Sequence, residues 1–222
     1  SWEVTLIDMG WNVLMSENVQ ETYDAAIISS RISEDTLYPT QFCHDGFIIS
    51  HSAQKFMTVP DEDVMKYTPK KKRHTINTEN PGTWGGIVTP SYFNEGRLSL
   101  EKAKEPVLGK MQNAFDEFAK ITGRQYGNVE TFNVDNKKTV FFTMGSMCGN
   151  IISWMKNHSE YGLIKVRSWR PFPKEQLRKI VEENGIEKII ILEKDDDLSG
   201  ILPPVGKSVA SSLFGIPVLV RS

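Results

Sequence analysis

The fold is decided by residues 139–192, TVFFTMGSMCGNIISWMKNHSEYGLIKVRSWRPFPKEQLRKIVEENGIEKIIIL. Apolar runs at 139–143, 163–167 and 188–192 predict buried strands, and the residues between them carry the spacing of amphipathic helices. Continuous apolar strands that alternate with such helices are typical of a parallel sheet covered on both faces. The stretch therefore predicts a doubly wound parallel α/β sheet.

Further elements extend this domain in both directions. A helix at 107–121 carries apolar residues at spacings of three and four and ends at Gly123. A short helix at 208–214 and a strand at 218–220 complete the pattern. We therefore predict one domain over residues 91–222.

The first 58 residues predict a strand at 11–16, a helix at 18–32 and strands at 37–44 and 46–50. Asn18 stands where a helix cap is expected, and Glu21 follows three residues later, as in a capping box. Two or three strands do not form a stable sheet alone. We therefore expect residues 1–58 to be the end of a domain that begins elsewhere.

Residues 59–90 predict a linker. Pro60, Pro69, Pro81 and Pro90 interrupt regular structure, and the run 70–73 is entirely basic. Trp84, Tyr92 and Phe93 indicate that this segment packs against a neighbouring surface.

Composition excludes several classes of protein. The 222 residues carry a net charge of -2, which does not suggest a nucleic-acid-binding surface, and no apolar run is long enough to span a membrane. Cys43 and Cys148 are too few for a cysteine-ligated cluster, so any iron–sulfur centre must belong to another chain. Free cysteines fit a reducing cytoplasm. The four histidines lack metal-binding spacing.

Three local patterns are candidates for chemical sites. Cys43, His44 and Asp45 are adjacent on a strand, where side chains alternate between faces, so they do not form a triad. The turn at 145–149 could hold an anion at a helix start, but it lacks the glycines and lysine of nucleotide-binding loops. The acidic run 195–197 is read as a solvated loop, with a Mg²⁺ site as the alternative.

Several strings together resemble the α chain of pyruvate:ferredoxin oxidoreductases and related 2-oxoacid enzymes. They occur in the family's order over most of the chain. The strings are SENVQE at 16–21, HDGFIISH at 44–51, TGRQYG at 122–127, MGS at 144–146 and GLIKVRSWRPFP at 162–173.

The resemblance implies oxidative decarboxylation of a 2-oxoacid, expected to be pyruvate, with acylation of coenzyme A and electron transfer to ferredoxin. It implies that residues 1–58 end the thiamine pyrimidine-binding domain, that 59–90 are a linker, and that 91–222 resemble the transketolase C-terminal domain. Thiamine pyrophosphate with Mg²⁺ would be shared with a partner chain, and iron–sulfur clusters would lie on other subunits. The family's pyrimidine-activating Glu and substrate-binding Arg have no counterpart here, so the chain is not expected to be active alone.

Five residues are candidates for cofactor binding: Asn18, Gln20, His51, Arg167 and Arg170. Their alternative roles are a helix cap for Asn18, a helix surface amide for Gln20 and a structural hydrogen bond for His51. Arg167 and Arg170 would bind a coenzyme phosphate, or else fix the turn at 171–173 or pair with carboxylates. The whole chain could alternatively be a non-catalytic interaction domain or an independent nucleotide-binding module.

Overall fold

A computed structural model describes residues 9–68, 75–82, 85, 87–195 and 202–221 of the chain. Strands and helices alternate along most of this length. In chain order, the strands are β1 (Asn12–Ser16), β2 (Thr40–His44), β3 (Val129–Phe132), β4 (Thr139–Thr143), β5 (Gly162–Val166), β6 (Ser168–Arg170), β7 (Lys188–Ile191) and β8 (Leu219–Arg221). The helices are α1 (Val19–Thr36), α2 (Asp61–Tyr67), α3 (Pro90–Lys104), α4 (Val107–Thr122), α5 (Met147–Met155), α6 (Lys174–Asn184) and α7 (Pro204–Ser212).

The larger sheet has the order β3-β5-β4-β7-β8. Strands β5, β4, β7 and β8 are parallel, which confirms the predicted α/β fold, and β3 lies antiparallel to β5 at one edge. The predicted strand at 139–143 is confirmed with the same bounds as β4. Strand β3 was not predicted, because its four residues VETF are only partly buried and carry a charge.

The smaller sheet has the order β2-β1-β6. Strands β1 and β2 pair in parallel, as the strand–helix–strand pattern predicts, and β6 joins β1 on its other side in antiparallel orientation. Only Arg167 separates β5 from β6, so one short run of chain serves both sheets.

Strand β1 links the two main clusters of buried side chains. Val13 packs into the core of the larger sheet, whereas Leu14 points to the opposite face and packs with Phe115 of α4 and Ile28 of α1. Helix α4 was predicted to belong with residues 91–222, but its buried face packs on α1. The division of the chain at residues 58 and 90 stays a prediction.

Two segments differ from what the sequence predicts. The predicted strand at 46–50 is a series of turns, since Phe47 has a left-handed backbone with φ of 68°. The segment 59–90 contains the short helix α2, whose buried Tyr67 donates a hydrogen bond to the carbonyl of Ala114 at 2.8 Å. Trp84, the basic run 70–73, and positions 196 and 197 of the acidic run lie outside the described residues.

Helix α3 was not predicted from the sequence, and none of its residues is buried. No helix within the described ranges has both the length and the apolar character needed to cross a bilayer.

Candidate functional site

Asn18 caps the start of α1. Its side-chain oxygen accepts a hydrogen bond from the amide of Glu21 at 2.9 Å, which confirms the predicted cap. Glu21 Oε2 in turn accepts from the amide of Glu17, one residue before the cap, at 2.8 Å. The first turn of α1 is therefore held at both ends by its own side chains.

Gln20 holds a distant loop against α1. Its Nε2 donates to the carbonyl of Met57 at 3.0 Å, and its Oε1 accepts from the amide of Met57 at 2.6 Å. Tyr23, one turn further on, accepts a hydrogen bond from the amide of Val59 at 3.0 Å. The Gln20 side chain thus acts on the loop as a neighbouring strand would, by satisfying both backbone groups of one residue.

His51 lies at the exposed end of the turns that follow β2. Its Nδ1 lies 2.8 Å from the hydroxyl of Ser50, and its ring stacks on Phe47 with centroids 5.0 Å apart. The imidazole is therefore oriented by local contacts while it remains open to solvent.

An apolar groove of about 330 Å³ lies between α1 and the β2 edge of the smaller sheet. Gln20 sits between two lining residues, Val19 and Thr22, and His51 directly follows another, Ser50. Asn18 and His51 are thus sequence neighbours of the lining on its two sides. The remaining lining residues are Tyr23, Ala26, Phe42, His44 and Ile49.

Arg167 does not line that groove and has 4% of its surface exposed. Its guanidinium donates to Glu21 Oε1 at 2.7 Å, to Glu130 Oε1 at 2.6 Å and to the carbonyl of Gly127 at 2.8 Å, and it stacks over the ring of Tyr126. Burial alone would lower the pKa of Arg167, but the carboxylates of Glu21 and Glu130 outweigh burial and raise it. The Nη groups of Arg167 therefore serve the fold, whereas its Nε is buried and has no acceptor among the described residues.

Lys165 is a buried charged residue whose burial was not predicted from the sequence. It is 2% exposed, and its ammonium lies 2.6 Å from both Glu17 and Glu21 and 3.4 Å from Glu130. Burial would raise the pKa of Glu21, yet Arg167 and Lys165 lower it below its ordinary value. A lysine inside the apolar run GLIKV was the signal that could have revealed this buried network.

A second buried charge network adjoins the first. Asp24 of α1 is fully buried and accepts hydrogen bonds from Arg124 Nε at 2.7 Å, from Arg124 Nη2 at 2.8 Å and from the Tyr126 hydroxyl at 2.6 Å. Arg124 and Tyr126, both in the string TGRQYG, thus hold Asp24 of helix α1.

Arg170 stands at the end of β6, before a cis bond to Pro171. Its guanidinium reaches Ser208 of α7 at 3.3 Å and the carbonyl of Trp169 at 2.7 Å, and it lies over the Trp169 ring. These contacts fix the turn before α6. The structure does not bring Arg170 near Gln20 or His51.

The turn at 145–149 is closed by a carboxylate of the same chain. Asp45 Oδ2 accepts a hydrogen bond from the amide of Ser146 at 2.6 Å, and Asp45 Oδ1 lies 3.0 Å from the ammonium of Lys194. Burial raises the pKa of Asp45, but the hydrogen bonds from Ser146 and the charge of Lys194 lower it overall. A Cβ at Gly145, where φ is +70°, would come within 2.8 Å of the Asp45 oxygen, so the close approach requires glycine.

Two family models match different parts of the chain. Residues 4–116 match the family described as pyruvate flavodoxin/ferredoxin oxidoreductase, thiamine diphosphate-binding, and these residues are just over half of the chain. The chain belongs to this family. Residues 138–220 match a second model of the same family, pyruvate:ferredoxin oxidoreductase core domain II.

Curated relatives in the family agree with this assignment. The chain is 32% identical to pyruvate synthase subunit PorA of Methanothermobacter thermautotrophicus, over 85% of this chain and 50% of the relative. It is 33% identical to PorA of Methanocaldococcus jannaschii, over 93% and 55% respectively. Ketoisovalerate oxidoreductase subunit VorA of Pyrococcus horikoshii is 32% identical over 85% and 49%. The chain thus spans about half the length of the curated relatives it matches.

A solved structure supports the fold alone. The 2-oxoglutarate:ferredoxin oxidoreductase from Magnetococcus marinus, solved with 2-oxoglutarate, coenzyme A and succinyl-CoA bound, aligns with a TM-score of 0.54 at 14% identity. The alignment covers 99% of this chain and 41% of that one.

Proposed function

We propose that this chain is part of a thiamine-dependent 2-oxoacid:ferredoxin oxidoreductase and requires other polypeptides for activity. The observation that carries the proposal is the order of the two family matches, with the thiamine diphosphate-binding model before the core domain II model. The reaction would convert a 2-oxoacid and coenzyme A to acyl-CoA and carbon dioxide, with electrons passed to ferredoxin.

The groove between α1 and β2 is the place we propose for the pyrimidine end of the cofactor. Tyr23, Phe42 and Ile49 supply apolar walls, and His44 and Ser50 supply polar groups. Such a recess, apolar with few polar groups, suits an aromatic heterocycle. When bound, thiamine diphosphate supplies the nucleophilic carbon and the electron sink for decarboxylation.

Gln20 and His51 are the candidate residues that we place beside the cofactor. Gln20 fixes the loop around Met57, and His51 offers an exposed imidazole next to the groove. Asn18 would contribute indirectly by setting the first turn of α1. Arg167 and Arg170 would act as positioning residues, because their hydrogen bonds hold the chain together around β6.

The diphosphate and Mg²⁺ do not fit the part of this chain that the structure describes. No group of three or more metal-ligating side chains occurs there. The amides of Glu21 and Ser146, each at a helix start, already donate to Asn18 and Asp45. We therefore propose that a partner chain holds the diphosphate and its metal.

Iron–sulfur clusters are likewise assigned to other subunits, because this sequence has only Cys43 and Cys148 and both are buried. Two such thiols cannot supply the ligands of a cluster. They also fit a protein that works in the reducing cytoplasm.

Pyruvate is the proposed substrate because the relatives named pyruvate synthase come from several distant organisms. The VorA relative is equally similar, so sequence identity alone does not separate pyruvate from 2-ketoisovalerate. The discriminating experiment is dye reduction by the purified assembly with each 2-oxoacid in turn.

Native mass spectrometry of the protein isolated from its source tests the main proposal. A large assembly that contains this chain, thiamine diphosphate and iron is the expected result. A lone chain of 25.2 kDa, or its dimer, without cofactor would contradict the proposal and favour a non-catalytic interaction domain.

A further inference from the structure

Helix α3 and the residues just before it lie in solvent. Every residue from 87 to 103 is exposed. The large apolar side chains among them are Ile87, Val88, Tyr92, Phe93, Leu98 and Leu100. Tyr92 and Phe93, which the sequence indicates should pack against a neighbouring surface, are 65% and 54% exposed. The described part of the chain therefore does not cover these side chains.

The amino-acid composition of α3 does not favour a helix that stands alone. Isolated helices of about 12–15 residues are marginal in water even when they are rich in alanine. Helix α3 has 15 residues, and it contains a glycine, two serines, an asparagine and two aromatic residues, all of which form helices less readily than alanine. Most helical stability in proteins comes from the packing of an apolar face. A surface beyond the described residues is therefore expected to stabilise α3.

One face of α3 carries residues at the spacing of a coiled coil. Phe93, Gly96, Leu100 and Ala103 follow one another at intervals of three, four and three residues. Large and small side chains alternate along this stripe. A Cβ added at Gly96 would have open space around it among the described residues, so the glycine forms a notch between Phe93 and Leu100.

Two copies of this stripe are complementary when the helices run antiparallel. With Phe93 opposite Gly96 of the second copy, each ring enters the notch of the other helix, and Leu100 comes opposite Thr89. A parallel pair in register would place Phe93 against Phe93 and Gly96 against Gly96, which leaves a gap at the glycines. The alternation of large and small residues therefore favours the antiparallel pair.

The attachment of α3 to its own chain favours the same direction. The Tyr38 hydroxyl donates to the carbonyl of Leu100 at 2.8 Å, and the Lys104 ammonium lies 5.1 Å from the centroid of the Tyr38 ring. Both contacts are at the C-terminal end of a helix about 22 Å long. An antiparallel pair places the two attached bodies at opposite ends, whereas a parallel pair would bring them together at one end.

The charges of α3 are compatible with this pairing. With Phe93 opposite Gly96, Arg97 comes to the level of Tyr92 of the second copy, so a cation meets an aromatic ring rather than another cation. Glu95 and Glu101 belong to positions outside the stripe. Like charges therefore do not oppose the contact.

We propose that α3 docks in antiparallel orientation against α3 of a second copy of this chain, about a two-fold axis between Phe93 and Gly96. Two-fold pairing of identical surfaces is the commonest form of protein oligomer. A pair of short helices is smaller than a standard interface, so we expect dimerisation in the micromolar range. This inference goes beyond the proposed function and does not depend on it.

Sedimentation of the full chain at concentrations from about 1 to about 200 µM tests the pairing. Leu100→Lys places a charge in the stripe and is expected to raise the dissociation constant of the dimer at least about tenfold. Leu98→Lys is the matched control. Leu98 is 52% exposed and Leu100 51%, but Leu98 lies on the opposite face of the helix, so its dissociation constant should change less than about twofold. A chain that stays monomeric throughout, or equal effects of the two substitutions, overturns the proposal.

Copy number extends the test to an assembly with other polypeptides. Native mass spectrometry is expected to find this chain in pairs, and Leu100→Lys is expected to split the assembly between the two copies. A single copy, or release of a different polypeptide by Leu100→Lys, overturns the pairing whether or not thiamine diphosphate is present. The presence of the cofactor tests the proposed function separately.

Cross-linking tests the direction of the pair. In the double variant Thr89→Cys and Leu100→Cys, mild oxidation should join two copies covalently, because position 89 comes opposite position 100. The native thiols at Cys43 and Cys148 are both buried. Thr89→Cys alone should remain unlinked. Equal linkage of this single variant would indicate a parallel pair and overturn the antiparallel arrangement.

Discussion

Lys165 Nζ lies 2.6 Å from Glu21 Oε1, although 144 positions separate the two residues in the sequence. Lys165 belongs to β5 of the larger sheet, and Glu21 belongs to the first turn of the helix beside the smaller sheet. The pair is thus a buried ionic joint between the segments that match the two family models. Both side chains are almost inaccessible to water, so loss of either charge is expected to destabilise the fold.

Replacement of Lys165 by Met is expected to lower the free energy of unfolding by about 3–5 kcal/mol. The change leaves Glu17 and Glu21 buried without their common cation, and Arg167 alone then faces Glu21. Urea unfolding monitored by tryptophan fluorescence measures the loss. Lys179→Met is the control, because Lys179 is 70% exposed and its partner Glu183 lies 3.7 Å away, so a change within about 0.5 kcal/mol is expected. Equal effects of the two substitutions would contradict a buried joint.

Acid is expected to weaken the same joint. The pKa of Glu21 is lower in the folded chain than the ordinary value of 4.5. Its contribution to stability is therefore fully present above about pH 4.5 and is lost as the pH falls through the folded value. Glu21→Gln should flatten the decline of the urea midpoint as the pH falls below about 4.5. Glu160→Gln removes an equal charge at an exposed position and should leave the decline unchanged.

Alkaline conditions should act on the other partner. Burial and Arg167 lower the pKa of Lys165, but Glu21, Glu130 and Glu17 outweigh them and raise it above 10.5. The stabilisation from Lys165 is therefore present below about pH 10.5 and is lost as the pH rises through the folded value. Urea midpoints measured from pH 8 upward should fall less steeply in Lys165→Met than in the unmodified chain, because the variant has no ammonium to deprotonate at this position.

Most of the larger sheet could be predicted from the sequence, because strands such as VFF at 140–142 and III at 189–191 are apolar on both faces. The buried joint between Lys165 and Glu21 could not be predicted from the sequence. A pattern of apolar residues says which side chains avoid water, but it does not say that Lys165 is buried or which carboxylate it meets. Strand β3 and the exposed helix α3 were missed for a related reason, since neither has a strong apolar face.

Loss of the Gln20 side chain should free the loop that it holds. In Gln20→Ala, the amide of Met57 loses its acceptor, and we expect its hydrogen exchange to accelerate about tenfold. Hydrogen–deuterium exchange of peptides that contain Met57 measures this effect. Gln54→Ala, which removes an exposed amide that donates to the Ser52 hydroxyl at 3.2 Å, should leave that exchange unchanged. An unchanged rate in Gln20→Ala would show that the loop is held by other contacts.

The Cys148 thiol should resist alkylation in the folded chain. Burial raises the pKa of this thiol to about 12, so little thiolate is present at neutral pH. Ellman's reagent should react slowly with the native protein and rapidly after urea is added. Cys148→Ser separates this thiol from Cys43, and rapid reaction of the native chain at Cys148 would contradict its burial.

The site was predictable only in part. The cap at Asn18 follows from local sequence, because capping is decided by neighbouring residues. The hydrogen bond between Gln20 and Met57 joins residues 37 positions apart, and that between Asp45 and Ser146 joins residues 101 positions apart. Neither contact can be predicted from a local sequence pattern. Of the adjacent residues Cys43, His44 and Asp45, the aspartate bonds with the amide of Ser146 and the ammonium of Lys194, which are both distant in sequence.

The single residue between β5 and β6 has a consequence for how this protein can be divided. A piece cut to the first family match, residues 4–116, would keep β1 and β2 but lose β6, and with it the cations that neutralise Glu21. A piece cut to the second match, 138–220, would carry Lys165 and Arg167 with no carboxylate from α1. Neither piece alone would therefore keep the buried contacts of Glu21 with Lys165 and Arg167, and a fragment meant to fold by itself has to include both segments.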